Sequence, residues 1–503
     1  MNLKIAISYP PLESEKGVPL LSQNRQFQWF NSPTYIYPVI PAYAATLLQK
    51  NGYEVFWDDG IAENLSYADW KKRILREKPD IIAIETKTPV VERHWKIVNE
   101  LKNLTSNSSP CKGEEGQWKP KIALMGDHAV ALPEESLKKS QVDYVIASGD
   151  YDFMLLNLAD HLSKGTPLEG GFYYKDANNN IVSSGQSDLS KHDLNTLPLI
   201  DRELTHWKNY AFKNGNFKHT PGAYMMSGRD CWWGRCTFCS WTTMFPGNNF
   251  RTQSPEKALE EVGNLIKLGI KEIMEDSGSL PVGKWLEDFC QGMIEKGYNK
   301  KVVMSCNMRI TGIRNLETWK LMKKAGFRFI LFGLESANQI TLDRICKNLK
   351  VEEIEPGLKM CKEAGLEPHI TAMIGYPWET KTMAQKTIDL AKKLFKKGFV
   401  DTLQATIVIP YPGTLLYKYC RENNLLLTND YSRFDQREPV MKSPLSNQDV
   451  KELVQDLYKS FLSPKFILRK ILSIRSWDDI KFLWIAGLRV LGHLTDFSKK
   501  EKY

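Results

Sequence analysis

The chain reads as an α/β protein: an N-terminal doubly wound parallel sheet, then a partial (β/α)6 barrel, then a C-terminal helical region. Three observations predict this. Short apolar runs alternate with helix-length stretches over residues 1–162, the pattern lapses over 163–220, and six further strand–helix repeats follow from 223. A chain of 503 residues is too long for one core. The lapse therefore reads as a domain division, with a Rossmann-like domain over 1–165 and a linker or interdomain layer over 166–220. A TIM-like barrel over 221–425 and a helical cap over 426–503 complete the chain.

In the first domain, 4–8, 54–57, 80–85, 121–125 and 144–147 are strands. Residues 42–51, 91–104 and 153–162 are helices, and a polar stretch over 106–119 is a surface insertion. Strands separated by helices run parallel, and such sheets take ligands outside the carboxyl ends of their strands. The ligand-facing loops are then 9–12, 58–60, 86–89, 126–128 and 148–150. Clusters of Gly, Asn and Pro around 176–180 and 197–199 mark the linker.

The second alternation has strands at 223–227, 272–274, 301–305, 327–332, 370–374 and 402–407, with helices at 255–268, 282–296, 315–325 and 381–397. A parallel barrel places its active site at the carboxyl ends of its strands. Helices over 447–462 and 466–494 follow, and the second is amphipathic and basic. It reads either as a cap packed on the barrel or as a membrane-surface contact.

A net charge of +9 without a dense basic stripe argues against nucleic acid. No apolar run reaches the roughly 20 residues that span a bilayer, and the N-terminus lacks a signal-peptide pattern. The nine cysteines, at 111, 231, 236, 239, 290, 306, 346, 361 and 420, form no paired framework. That usage points to a reducing, cytoplasmic location, with membrane association as the further option.

Three of these cysteines, Cys231, Cys236 and Cys239, lie within nine residues. Structural zinc normally takes four ligands as two close pairs, and no second pair exists in the chain. Three soft thiolates on one loop suit three irons of a 4Fe–4S cube, leaving the fourth open for a ligand. The loop follows the first barrel strand, the end at which barrel chemistry occurs.

With these residues the chain resembles radical S-adenosylmethionine (SAM) enzymes, in particular the branch with an N-terminal cobalamin-binding domain, over roughly residues 1–430. The resemblance implies that the three cysteines hold a 4Fe–4S cluster whose open iron chelates SAM, and that one electron cleaves SAM to a 5′-deoxyadenosyl radical. Phe238 matches the family's aromatic at the adenine. Glu275 and Asp276, Asn307 and Arg309, and Glu335 and Ser336 follow the second, third and fourth barrel strands as the implied SAM contacts. The chain departs from the family in having four residues, Trp232 to Arg235, where three usually separate the first two cysteines. Gly234 permits the extra bend.

For the N-terminal domain the resemblance implies cobalamin at Thr86, Thr88, Gly126, His128 and Gly149. The family's Gly-Gly-x-His pattern is altered here to Gly126-Asp127-His128, and Ser148-Gly149-Asp150 stands where Gly-Glu-Gly is common. The cobalt-ligating Asp-x-His-x-x-Gly element is absent, so any cobalamin is expected without a protein histidine ligand. His128 reads as a loop hydrogen-bonding residue. A degenerate domain that only scaffolds the barrel is the other reading.

The implied function is methylation of an unactivated carbon of a small molecule or lipid, with an electron donor such as flavodoxin or ferredoxin. The same radical could instead drive ring formation, rearrangement or carbon–carbon coupling on a lipid or isoprenoid. A transfer-RNA methylthiotransferase needs three further N-terminal cysteines, and only Cys111 lies there. A non-catalytic iron–sulfur electron-transfer module would not need the acids and arginine downstream.

Overall fold

The computed structural model describes residues 3–21, 27–31, 33–106, 118–214, 217–247, 250–459 and 464–472, with scattered positions between 474 and 487. Cys111 and most of the polar insertion lie outside the described residues. The chain divides into two compact units, residues 1–213 with 240–249, and residues 214–239 with 250–503.

In the first unit β1 (Lys4–Tyr9), β2 (Glu54–Asp59), β3 (Ile81–Glu85), β4 (Lys121–Met125) and β5 (Tyr144–Ile146) are parallel, in the order β2-β1-β3-β4-β5. The chain reverses direction across the sheet between β1 and β3, the switch point at which such sheets open a crevice. β3 is buried along its whole length, as a central parallel strand with apolar residues on both faces must be. The connecting helices are α1 (Val39–Lys50), α2 (Tyr67–Glu77), α3 (Val91–Ser106), α4 (Asp127–Ala131), α5 (Pro133–Lys139) and α6 (Tyr151–Lys164).

The stretch expected to be patternless carries two more strands. β6 (Phe172–Lys175) and β7 (Ile181–Ser183) extend the sheet antiparallel beyond β5. Asp176 builds the turn between them, its Oδ1 accepting from the backbone N–H groups of Asn178 and Asn180. The hairpin escaped sequence reading because an edge pair is half-buried and needs no continuous apolar run.

The second unit holds six parallel strands: β8 (Gly222–Met225), β9 (Glu272–Glu275), β10 (Val303–Met308), β11 (Phe327–Glu335), β12 (Glu367–Ile374) and β13 (Thr402–Ile407). They pair in sequential order without reversal, and β8 and β13 do not pair among the described residues. Its helices are α7 (Pro255–Lys267), α8 (Lys284–Glu295), α9 (Leu316–Lys324), α10 (Gln339–Arg344), α11 (Val351–Glu363), α12 (Lys381–Lys397), α13 (Leu415–Glu422), α14 (Asn447–Lys459) and α15 (Pro464–Leu472). Ser254, Asn315, Asn338, Thr380 and Thr414 cap α7, α9, α10, α12 and α13, each accepting from the N–H three residues on.

α14 covers the edge strand β13, its Tyr458 hydroxyl donating to the Ala405 carbonyl at 2.9 Å. α15 docks on α12 through Phe466 against Phe395, with ring centroids 5.2 Å apart, and reaches Asp401 through Lys470 at 2.7 Å. Ile467, Leu468, Ile471 and Leu472 remain exposed on its outer side. The helix expected over 466–494 is described as 464–472, and Phe482 lies outside the described residues. No described helix is long and apolar enough to cross a membrane.

Candidate active site

β8 ends at Met225, and the chain then enters the cysteine loop through Gly228–Arg229, which pairs antiparallel with Arg251–Thr252. Cys231, Cys236 and Cys239 are partly exposed and not joined in disulfides. Among the described residues no three His, Cys, Asp or Glu side chains gather around a single ion position. In a cube each thiolate takes a different iron, so its ligands stand farther apart than those of one ion. Three thiols on one short loop are the soft donor type that an iron–sulfur cluster takes.

The four-residue spacing is accommodated by a stack. Gly234 takes the left-handed conformation at φ 54°. The Arg309 guanidinium, from the end of β10, lies over Trp232 at 5.4 Å and Trp233 at 4.6 Å from the ring centroids. Its Nη2 donates to the carbonyls of Lys347 and Asn348. The Trp233 indole N–H donates to the Cys346 carbonyl at 2.7 Å, and the Thr237 N–H to the Ile345 carbonyl at 3.1 Å. Residues 345–348 thus form a rail along which the loop is pinned. Arg309, expected at SAM, is engaged with this rail, leaving only its Nε without a partner.

Glu335 ends β11 at φ 64°, a strained setting for a residue with a side chain, at a register shift against β12. Its Oε1 accepts from Lys347 Nζ at 2.9 Å, and both side chains are buried. A Cβ on Gly333 would meet Glu335 Oε1 at 2.3 Å and Lys347 Nζ at 2.5 Å, so this glycine makes room for the pair. Burial pushes the Cys236 thiol up, opposed by Lys347 and Arg309 beside it. Lys347 was missed in the sequence. It sits in a polar loop with no motif, and only folding turns it inward.

Glu275 ends β9 and is fully buried. Its Oε1 accepts from the Ser227 N–H and the Ser227 hydroxyl, each at 2.8 Å, and from the Ser277 hydroxyl at 2.5 Å. Its Oε2 has no partner, and burial raises its pKa. Asp276 accepts from Asn307 Nδ2 at 3.1 Å, so the acid of β9 and the amide of β10 meet directly. Phe238 is buried beside the loop. Ser336 faces the other way: its hydroxyl accepts from the Asn338 N–H at 3.1 Å and lies 3.5 Å from the Thr387 hydroxyl of α12. Tyr376, after β12, is fully buried with an unpartnered hydroxyl, and burial, followed by the charges of Glu335, Glu379 and Cys236, pushes that hydroxyl's pKa up. Nothing in the Gly-Tyr-Pro-Trp run marks Tyr376 as a site residue before folding.

In the first unit the expected cobalamin residues come to one sheet edge. Gly126 has φ 116°, and a Cβ there would lie 2.0 Å from the Thr86 carbonyl oxygen. The Thr86 hydroxyl is 2.7 Å from His94 Nδ1, and burial drives His94 down to about 3, holding it neutral. His128 is buried with Nδ1 3.3 Å from the Thr88 hydroxyl and Nε2 3.3 Å from Glu135, a loop hydrogen-bonding role. Gly149 donates its N–H to the Met244 carbonyl, and a Cβ there would meet the Phe245 ring at 2.5 Å. Two residues were missed. Glu85 ends β3 with Oε2 accepting from the Tyr9 hydroxyl at 2.6 Å and Oε1 unpartnered, and burial raises it to about 8. Asp59 ends β2 and accepts from the Tyr210 hydroxyl at 2.5 Å.

Residues 225–391 match the radical SAM superfamily. The chain is 29% identical to an uncharacterized methyltransferase, PH0819, of Pyrococcus horikoshii, over 86% of this chain and 90% of that protein. It is 25% identical to the anaerobic magnesium-protoporphyrin IX monomethyl ester cyclase of Cereibacter sphaeroides, over 85% and 67% of the two. Its fold resembles the cobalamin-dependent S-adenosylmethionine radical enzyme OxsB, with TM-score 0.71 at 14% identity, covering 98% of this chain and 72% of that one. Residues 225–391 thus carry a match to the radical SAM superfamily, and the methyltransferase and cyclase likenesses indicate an enzyme of that class. Its α/β fold with parallel sheets is similar to that of the cobalamin-dependent radical enzyme OxsB.

Proposed function

We propose that the protein reductively cleaves SAM and, with cobalamin, methylates an unactivated carbon of a small-molecule or lipid substrate. The observation that carries this is a loop of three cysteines outside any disulfide, in a unit that also holds buried polar atoms without partners, Glu275 Oε2, Arg309 Nε and the Tyr376 hydroxyl. Buried polar atoms are rarely left unpaired, so these are valences kept for a ligand. When bound, the cluster and SAM supply a 5′-deoxyadenosyl radical, and the corrinoid supplies the methyl group.

The chain's own residues do the rest. Cys231, Cys236 and Cys239 hold the cluster, and the Arg309 stack fixes their loop. Glu275 Oε2 and Asp276 offer acceptors for the SAM ammonium, Asn307 orients Asp276, and Phe238 packs at the adenine. Glu335 is kept in place by Lys347. In the first unit the edge built from Thr86, Thr88, Gly126, His128 and Gly149 receives the corrinoid. There Glu85, with its raised pKa and free Oε1, offers a neutral hydrogen-bonding group. His128 is committed to Thr88 and Glu135, which favours a cobalt without a histidine ligand. An electron donor such as flavodoxin or ferredoxin supplies the cluster. The exposed apolar side of α15, Ile467, Leu468, Ile471 and Leu472, suits peripheral contact with a lipid surface.

Likeness to the cyclase keeps ring formation as the second reading. Anaerobically reconstituted protein given SAM and a reductant should release 5′-deoxyadenosine, and protein made with cobalamin should co-purify with a corrinoid absorption spectrum. A product heavier by a methyl supports methylation, and one lighter by two hydrogens supports cyclisation. Cluster-loaded protein that leaves SAM intact would overturn both in favour of an electron-transfer module.

A further inference from the structure

We infer that the outer side of the cysteine loop is the docking surface for a small acidic electron-carrier protein. The inference rests on the reading of that loop as a reductively activated cluster, and it assigns the place where the electron enters.

The surface is continuous through named contacts. Arg235, exposed between the cysteines, lies 5.2 Å over Trp233, which is bonded to the Cys346 carbonyl. Thr237 is bonded on one side to the Ile345 carbonyl and on the other to the Leu416 N–H at 2.9 Å, which brings the start of α13 against the loop. Trp378 donates to the Thr341 hydroxyl of α10 at 3.2 Å, lies under Arg344 at 5.0 Å and meets Tyr419 of α13 edge-on at 6.1 Å. The rail, α10 and α13 therefore surround the outside of the cysteine loop.

What this face presents is unusual for the molecule. Among the described residues before 464, six large apolar side chains are exposed, and three are here: Ile340 at 58%, Leu415 at 61% and Tyr419 at 41%. Leu415 and Tyr419 are four apart and share one side of α13. Beside them stand the exposed cations Arg235, Arg344 and Lys418. The acids among them are Asp343, which accepts from Gln339, and Glu422, 3.8 Å from Lys418. Exposed pairs of that kind are worth little, so the excess of positive charge is available. An apolar centre in a cationic rim is the complement of an acidic protein whose redox group lies near an apolar patch. In the step this surface serves, the carrier loses one electron (a flavin hydroquinone becoming the semiquinone) and the cluster gains it.

The test compares two reductants on the reconstituted holoenzyme. Arg344→Glu with Lys418→Glu should leave dithionite-driven 5′-deoxyadenosine formation within about twofold of wild type. With reduced flavodoxin the rate should fall about tenfold, and the wild-type decline with rising salt should flatten. Tyr419→Ala, which leaves the charge intact, should weaken flavodoxin binding without changing the salt slope. Should the charge-reversed protein fail to fold, Arg344→Gln with Lys418→Gln reads the same effect at smaller size. Equal flavodoxin-driven rates in variant and wild type would overturn the inference, as would a salt-independent wild type. A wild-type dimer that the variant dissolves would overturn it too, by giving the patch to a second copy. Failure of dithionite to drive cleavage in wild type would instead sink the reading of the loop itself.

Discussion

The carboxyl-end edges of the two parallel sheets are built from similar residue types and use them differently. On the edge of the first sheet, titratable side chains bind one another: Tyr9 with Glu85, Tyr210 with Asp59, Lys87 with Asp127, and His192 with Asp150. On the edge of the second, buried acids are also held by the backbone, Glu275 by the Ser227 N–H and Glu379 by the Gly375 N–H at 2.7 Å. Backbone donors occupy one oxygen and leave the other, and both Glu275 and Glu379 keep a buried carboxylate oxygen unpartnered. The first edge shares both devices to a lesser degree, since Glu85 Oε1 is unpartnered and Asp59 Oδ1 accepts from the Ala62 N–H at 2.8 Å. An edge paired mostly side chain to side chain suits a large neutral group, and one with more acids held by backbone donors suits a compact charged one, as the amino-acid end of SAM would be.

The largest effect should come from removing one of the proposed cluster cysteines on the second edge. Cys236→Ala should abolish the iron–sulfur absorption band and 5′-deoxyadenosine formation together, while leaving the first unit's fold, read by circular dichroism, in place. Next is the ion pair beneath the loop. Lys347→Met leaves Glu335 buried without its cation and should cost about 4 kcal/mol in chemical denaturation. The paired change Lys347→Met with Glu335→Leu should recover much of that stability but not SAM binding, which would separate packing from function.

On the first edge the effects should be smaller and confined to that unit. Gly126→Ala forces a Cβ toward the Thr86 carbonyl at a positive φ and should cost about 3 kcal/mol. Corrinoid retention should fall while the cysteine loop still takes up iron. Equal loss of the cluster would break the contrast between the edges. The smallest effect is a pH dependence. Burial alone would lower His192, but its hydrogen bonds to Asp150 and Glu169 raise it from 6.5 to about 9. Because the folded value lies above the unfolded one, the stabilisation is complete below pH 6.5 and is lost as the pH rises through 9. The melting temperature should decline over that window in wild type and less so in His192→Gln.

The alternation of strands and helices was legible in the chain because a central parallel strand must be apolar on both faces and a helix must show its 3.6-residue stripe. The strands over 121–125 and 402–407 and the helix over 381–397 agree with sequence expectation at both ends. The edge hairpin at 172–183 and α11 were not legible, since neither needs an uninterrupted apolar signal. The cysteine triplet was legible because three residues on one loop are local in sequence. The direct bond between Asp276 and Asn307 was not read there, although adjacent parallel strands end side by side. Folding alone turned Lys347 inward to Glu335, set Arg309 between two tryptophans and turned Ser336 toward α12. Those roles depend on which groups at long sequence separation come within a few ångströms. Residue type and spacing along the chain do not carry that information.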